Sequence, residues 1–162
     1  MYLDGECWIT RMSQNTWREL LYICNEFIVR FCHGTEGIHQ LAKNIKYIKA
    51  LCLAQLYQYT DSITVLNSIE EDSTLGLRRV FTKHMLCEPD GTPRKFTGKL
   101  GKYDEVSRSG SVFIDEFGKS SIYYHGPHMR TSNLKEGVVF KDIEIGYSNI
   151  APKAFREIEA GE

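Results

Sequence analysis

The sequence predicts an α+β protein whose two kinds of structure are segregated: a helical region over residues 1–88, a linker at 89–93 and a five-stranded antiparallel β-barrel over 94–162. Three observations predict it. In the first half, apolar residues recur at three- and four-residue steps, the period of a helix with one buried face. Then Glu88-Pro89-Asp90-Gly91-Thr92-Pro93 places two prolines and an Asp-Gly pair within six residues, which stops a helix and forms a turn. After Arg94 the apolar period becomes two, with turn residues at short intervals.

The first helix is expected to start at a cap, Ser13 or Asn15, and to bury Trp17, Leu20, Leu21, Cys24, Ile28 and Phe31 before Gly34 ends it. A second stripe follows: Ile38, Leu41, Ala42, Ile45, Ile48, Cys52 and Gln55, flanked by Leu51 and Leu56. Lys43, Lys46 and Lys49 fall off that stripe and are expected to face water. After a tight connection at Tyr57–Thr60, Asp61 sits near the start of a third helix with Ile63, Leu66 and Ile69 inward. The acidic run Glu70-Glu71-Asp72 opposes the dipole of a helix end and marks its stop. Leu75–His84 is read as a fourth helical element.

Five strands follow. They are Lys95–Tyr103, Ser111–Asp115, Ser120–His125, Val138–Ile145 and Ala154–Ile158. Glu116-Phe117-Gly118-Lys119 supplies a hairpin turn with glycine free to take positive φ. A long connection separates the third and fourth strands, which is the layout of an oligonucleotide-binding (OB) barrel. Phe140 and Ile143 can face one side together only across a bulge.

Two resemblances accompany this reading. Ala50-Leu51-Cys52-Leu53-Ala54-Gln55-Leu56-Tyr57-Gln58-Tyr59-Thr60-Asp61-Ser62-Ile63-Thr64-Val65-Leu66 resembles the middle of a tetratricopeptide repeat, over about residues 43–69, with Ser62 where that family usually has Ala. Such units bury their faces on neighbours, so the resemblance implies a longer superhelix or a second copy against the N-terminal helices.

Residues 95–158 resemble a cold-shock domain. The resemblance rests on Gly98; on Ser109-Gly110-Ser111-Val112-Phe113-Ile114; on Gly118; on Ile122-Tyr123-Tyr124-His125; on Leu134-Lys135-Glu136-Gly137 followed by Val138-Val139-Phe140; and on Gly146, Ala154 and Ile158. It implies base stacking on exposed rings, with basic side chains for phosphate. Carried over, it names Lys102, Tyr103, Arg108, Phe113, Tyr123 and His125 as nucleic-acid-binding residues, with Tyr103, Phe113 and Tyr123 on one exposed face. The pattern departs at Lys102, where the family has Trp, and at Ser111, where it has an aromatic residue. At ~1–3 kcal/mol per stacked base, two lost rings weaken binding by about 2–6 kcal/mol. From the residues alone, Phe113 suits platform or core, Phe117 is either exposed or folded over the barrel end, and His125 suits a strand-end hydrogen bond as well as a base.

Composition narrows the function classes. Residues 1–93 carry 9 basic and 11 acidic side chains and residues 94–162 carry 11 and 10, so neither half is the basic surface that grips duplex DNA. The five cysteines are scattered without a C-x-x-C spacing, which fits neither a disulfide framework nor a zinc knuckle and points to a reduced, cytoplasmic setting. No apolar run reaches the ~18 residues of a membrane span. Met1–Ile9 contain Asp4 and Glu6 and do not read as a secretory signal. The His125-x-x-His128 pair is interrupted by Pro127 and has no third ligand by spacing. No nucleotide-binding, nucleophile-elbow or zinc-protease motif occurs. The sequence therefore leads to a binding module with no catalytic residues, metal or cofactor. Its expected partner is single-stranded RNA or DNA, bound weakly. The alternative is a protein–protein adaptor, the end-piece of a larger helical-repeat protein or a homo-oligomer through the N-terminal helices.

Overall fold

The computed structural model describes residues 13–31, 39–69, 84–104, 106–125, 136–148 and 151–155. Among them, three helices precede a closed, mixed five-stranded β-barrel with one extra strand. The segregated α+β arrangement is as the sequence predicts.

Helix α1 (Gln14–Phe31) opens on Ser13, whose hydroxyl accepts the Thr16 amide at 3.2 Å and satisfies one otherwise orphaned N–H. Trp17 and Cys24 are buried, with Leu20 and Leu21 partly so, while Tyr22, Ile23 and Val29 stay exposed. Helix α2 (His39–Gln55) packs between α1 and α3 (Tyr59–Asn67). This central position covers more than one side of α2: Leu51, Cys52, Leu53, Ala54 and Gln55 are all buried in succession. It also corrects one expectation, because Lys43 is buried and not a water-facing lysine. Residues 75–83, read as helical from the sequence, lie outside the described residues, and His84 belongs to a strand.

The α2–α3 turn is a Schellman close. Gln58 N–H reaches the Leu53 carbonyl at 2.8 Å and Tyr57 N–H the Ala54 carbonyl at 3.1 Å. Tyr57 stands at φ 66 where glycine is usual. What holds it there is Arg94, whose guanidinium lies 3.8 Å from the Tyr57 ring centroid. The Tyr57 hydroxyl also donates to Glu88 at 2.9 Å.

The strands are β1 (His84–Met85), β2 (Phe96–Asp104), β3 (Ser109–Phe113), β4 (Ser121–His125), β5 (Val139–Ser148) and β6 (Ala151–Phe155). Their order is β1-β5-β2-β3-β4-β6, and a further β5–β6 pairing closes the ring. The expected wholly antiparallel barrel is corrected to a mixed one: β4 and β6 run parallel, with Tyr123 opposite Lys153. The reason is parity. Five strands cannot alternate direction around a closed ring, so one neighbouring pair must run the same way. Strand β1, which the sequence reading did not foresee, adds to β5 outside the ring.

Two irregularities set which residues face in. In β5, Asp142 takes φ 60, and across it both Phe140 and Ile143 turn inward, the bulge their spacing required. In β2 the register shifts between Leu100 and Tyr103, which exchanges inner and outer positions beyond it. Gly98 faces the barrel interior, where a Cβ would stand 2.5 Å from Val112 Cγ2 and 3.0 Å from Ile143 Cδ1. Only glycine fits there.

Helices and barrel share one hydrophobic cluster, which runs from Trp17 and Leu51 through Tyr59, Ile63 and Leu66 to Phe96, Phe117 and Tyr147. The helices and the barrel therefore pack on one another through a common apolar cluster. Phe117 folds back over the barrel end, its ring centroid 4.9 Å from Tyr59 of α3 and 5.8 Å from Phe96 of β2. The segment 89–93 is a pinned loop: Glu88 N–H bonds the Thr92 carbonyl at 2.7 Å and Arg94 N–H the Leu86 carbonyl at 3.0 Å. Arg94, buried at the start of the barrel, donates to the carbonyls of Ala54 and Gln55 and to the Tyr59 hydroxyl. A cation thus sits on the C-terminal carbonyls of α2, where the helix dipole favours it.

Candidate nucleic-acid interface

The candidate surface is the outer face of the barrel across β2, β3, β4 and β6. Alternation along β3 turns Val112 into the core and leaves Ser111 and Phe113 outward; along β4 it buries Ile122 and Tyr124 and leaves Ser121 and Tyr123 outward. Two cross-strand rows result. One runs Val139, Lys99, Phe113, Ser121. The other runs Ser111, Tyr123, Lys153. Phe113 and Tyr123 are each 44 % exposed. They occupy diagonal positions on neighbouring strands, a relation that spaces side chains by about 7–8 Å. The outward hydroxyls, Ser111 and Ser121, occupy the other diagonal.

Its cations are Lys99, Lys102, Arg108 and Lys153, and Asp104 is exposed on the same side at the end of β2. Lys99 is paired in register with Phe113, and the Lys153 ammonium lies 5.7 Å from the Tyr123 ring centroid. At the end of β2 and in the turn that follows, Lys102 and Arg108 are exposed, Arg108 at φ 54. None of these four cations forms an ion pair among the described residues. The nearest ion pair along β2 is Lys95 with Glu144, 2.9 Å.

Of the six residues carried over from the cold-shock resemblance, Phe113 and Tyr123 come together on this face. Lys102 and Arg108 lie exposed near its β2–β3 end. Tyr103 does not join them. The β2 bulge pairs it with Gly110 and turns it to the inner side, where its ring stacks parallel on buried Tyr124 at 6.2 Å and 4°. The expected three-ring face is corrected to a two-ring face. Burial pushes the Tyr124 hydroxyl up to about 12, with the neighbouring Tyr103 adding to the shift, and among the described residues the hydroxyl has no hydrogen-bond partner. His125 is opposite Ser109 in the strand register; its side chain lies outside the described residues.

Sequence reasoning missed Lys99, Lys153 and Gly101. Strict alternation from Phe113 through the β2–β3 pair could have found Lys99. Lys153 reaches Tyr123 only because the barrel closes there.

Among the described residues, no group of three or more His, Cys, Asp or Glu is placed to hold a metal ion, and no helix is long and apolar enough to cross a membrane. Fold and face together define an α+β protein in which, among the described residues, three helices precede a small closed mixed barrel. Comparison with protein-family models, curated proteins and solved structures finds no match to this chain.

Proposed function

We propose that this protein is a non-enzymatic module that binds single-stranded nucleic acid weakly, RNA being the ligand the cold-shock resemblance implies, through the outer face of β3 and β4. The observation that carries this reading is the pair of exposed rings, Phe113 and Tyr123, set side by side on neighbouring strands with Lys99 and Lys153 beside them. The layout supports an OB-type barrel: β2, β3 and β4 form a meander, β6 inserts between β4 and β5, and a long connection joins β4 to β5. Barrels of that class bind oligonucleotides on the face of their second and third strands, here β3 and β4. Exposed rings accept bases by stacking, which tolerates any base because every base has a π-face.

The test is a titration of labelled single-stranded RNA and DNA at two salt concentrations. Three or four phosphate contacts, drawn from Lys99, Lys102, Arg108 and Lys153, give a log–log salt slope of about -2 to -3 at ~0.7 per contact. Tyr123→Ala should weaken binding about 5- to 100-fold, more than Arg108→Ala, because stacking supplies most of the affinity. Loss of binding in Arg108→Ala with retention in Tyr123→Ala would refute the stacking model.

A second reading is favoured by α1, which exposes Tyr22, Ile23 and Val29. On that reading the chain is a protein–protein adaptor, or pairs with a second copy, through its helices. Absence of any nucleic-acid binding at low salt, with association through α1 in sedimentation, selects it.

A further inference from the structure

The outward face of β2 carries a glycine that its neighbours need. Gly101 follows Lys99 on that face yet is buried, because the Phe113 ring covers it. A Cβ at this position would stand 2.8 Å from Phe113 Cε2, 3.4 Å from Phe113 Cδ2 and 2.8 Å from Ser111 Oγ. The Cδ2–Cε2 side of the ring thus lies against bare backbone, while Phe113 as a whole stays exposed. No positive φ demands glycine here: Gly101 is absent from the left-handed glycines Gly91, Gly118 and Gly137. The demand comes from the ring.

Resting on the single-strand reading above, we propose that Phe113, Tyr123 and the Gly101 gap form a shelf for one two-base step of an unpaired strand, read without base preference, and that Gly101 is the positioning residue that lets the Phe113 ring lie against β2. Two rings on a diagonal of about 7–8 Å accept two successive bases. The hydroxyls on the opposite diagonal, Ser111 and Ser121, each donate or accept, so they meet the edge of any base and discriminate poorly. Lys153 beside Tyr123 and Lys99 beside Phe113 flank the step with positive charge. A duplex is rejected because its bases are already stacked on one another.

The test uses the whole chain and oligo-uridylates and oligo-adenylates of one to six nucleotides, followed by NMR titration. Affinity should rise steeply from one nucleotide to two. Beyond two it should grow only with the number of binding registers, and uridylates and adenylates should differ by less than about 3-fold. Gly101→Ala should keep the melting temperature and circular dichroism of the parent, because its Cβ meets only movable side-chain ends. It should lose as much affinity as Phe113→Ala, about 5- to 100-fold. The Gly101→Ala/Phe113→Ala double variant should be no weaker than Phe113→Ala alone, since Gly101 acts through the ring. If Gly101→Ala bound as tightly as the parent while Phe113→Ala did not, the positioning role would be wrong and the single-strand reading would stand. An affinity that climbed in even increments to six nucleotides would overturn the two-base shelf, and this length series on the parent chain decides the point even if a variant fails to fold. A parent chain that binds none of these oligonucleotides overturns the single-strand reading together with the shelf.

Discussion

Arg94 shows how one side chain ties two regions together. Its guanidinium leaves water, and the compensation is fourfold: the Ala54 and Gln55 carbonyls, the Tyr59 hydroxyl and the Tyr57 ring face. Glu88 lies 3.9 Å from Nε and is itself partly exposed. The planar fork spans two adjacent helix-end carbonyls, which an ammonium does not reproduce. Arg94→Ala removes the bonds to both carbonyls, the Tyr59 bond and the ring contact at once, leaving the Ala54 carbonyl with the Tyr57 amide and the Gln55 carbonyl with the Gln14 side-chain amide, and should destabilise the protein by about 2–4 kcal/mol in urea titration. Arg94→Lys should recover less than half of that loss. Equal stability of Arg94→Ala and the parent would show that water serves those carbonyls as well as arginine does.

At the scale of elements, the α2–α3 hairpin meets the barrel through a chain of buried hydroxyls. The Ser62 hydroxyl donates to the Ala50 carbonyl at 2.6 Å and has one proton to give, so the Tyr147 hydroxyl, 2.5 Å away, must donate to Ser62. Ser62 therefore does more than substitute for a small residue at the helix crossing. Burial holds the Tyr147 hydroxyl well above the usual phenol range, with the Ser62 hydrogen bond acting weakly the other way. Tyr124 is raised to about 12. Both folded-state values exceed the unfolded value near 10, so their contribution is fully present below about pH 10 and is lost as pH rises through the folded values. Stability should fall between pH 10 and 12 by up to ~1.4 kcal/mol per pH unit for each tyrosine. Tyr124→Phe should flatten that fall and cost nothing at pH 7, because the hydroxyl it removes has no hydrogen-bond partner among the described residues. Denaturant titrations of parent and variant at the two pH values check both claims, and a variant less stable by more than about 1 kcal/mol at pH 7 would contradict the second.

At the scale of the whole molecule, the shared cluster predicts that helices and barrel unfold as a single cooperative unit. Tyr59, Phe96 and Phe117 form one aromatic knot from α3, β2 and the β3–β4 turn, and Arg94 and Gln55 cross the same boundary. Thermal unfolding should follow one transition, with helix content by far-ultraviolet circular dichroism and tertiary packing by near-ultraviolet circular dichroism changing at the same temperature. Two separated midpoints would restore the picture of independent domains joined by a linker.

The sequence by itself determined where the three described helices and the five barrel strands fall to within a few residues, though not β1, because period is a local property: Trp17 and Cys24 inward on α1, the turn at Tyr57, the bulge between Phe140 and Ile143. The cold-shock resemblance put Phe113 and Tyr123 on one exposed face, while the residues alone left Phe113 open between platform and core. Tertiary structure alone decided the rest. Lys43 is buried because helices lie on both sides of α2, which its own stripe does not reveal. Tyr103 points inward because a bulge in β2 reverses the alternation, and a one-residue shift in register exchanges the two faces of a strand. Lys153 stands beside Tyr123 because an odd number of strands closes on itself, bringing β4 and β6 into parallel contact. Gly101 matters only because a ring from the neighbouring strand lies on it. Each of these is a contact between residues distant in sequence, and the local period of a segment carries no record of what will pack against it.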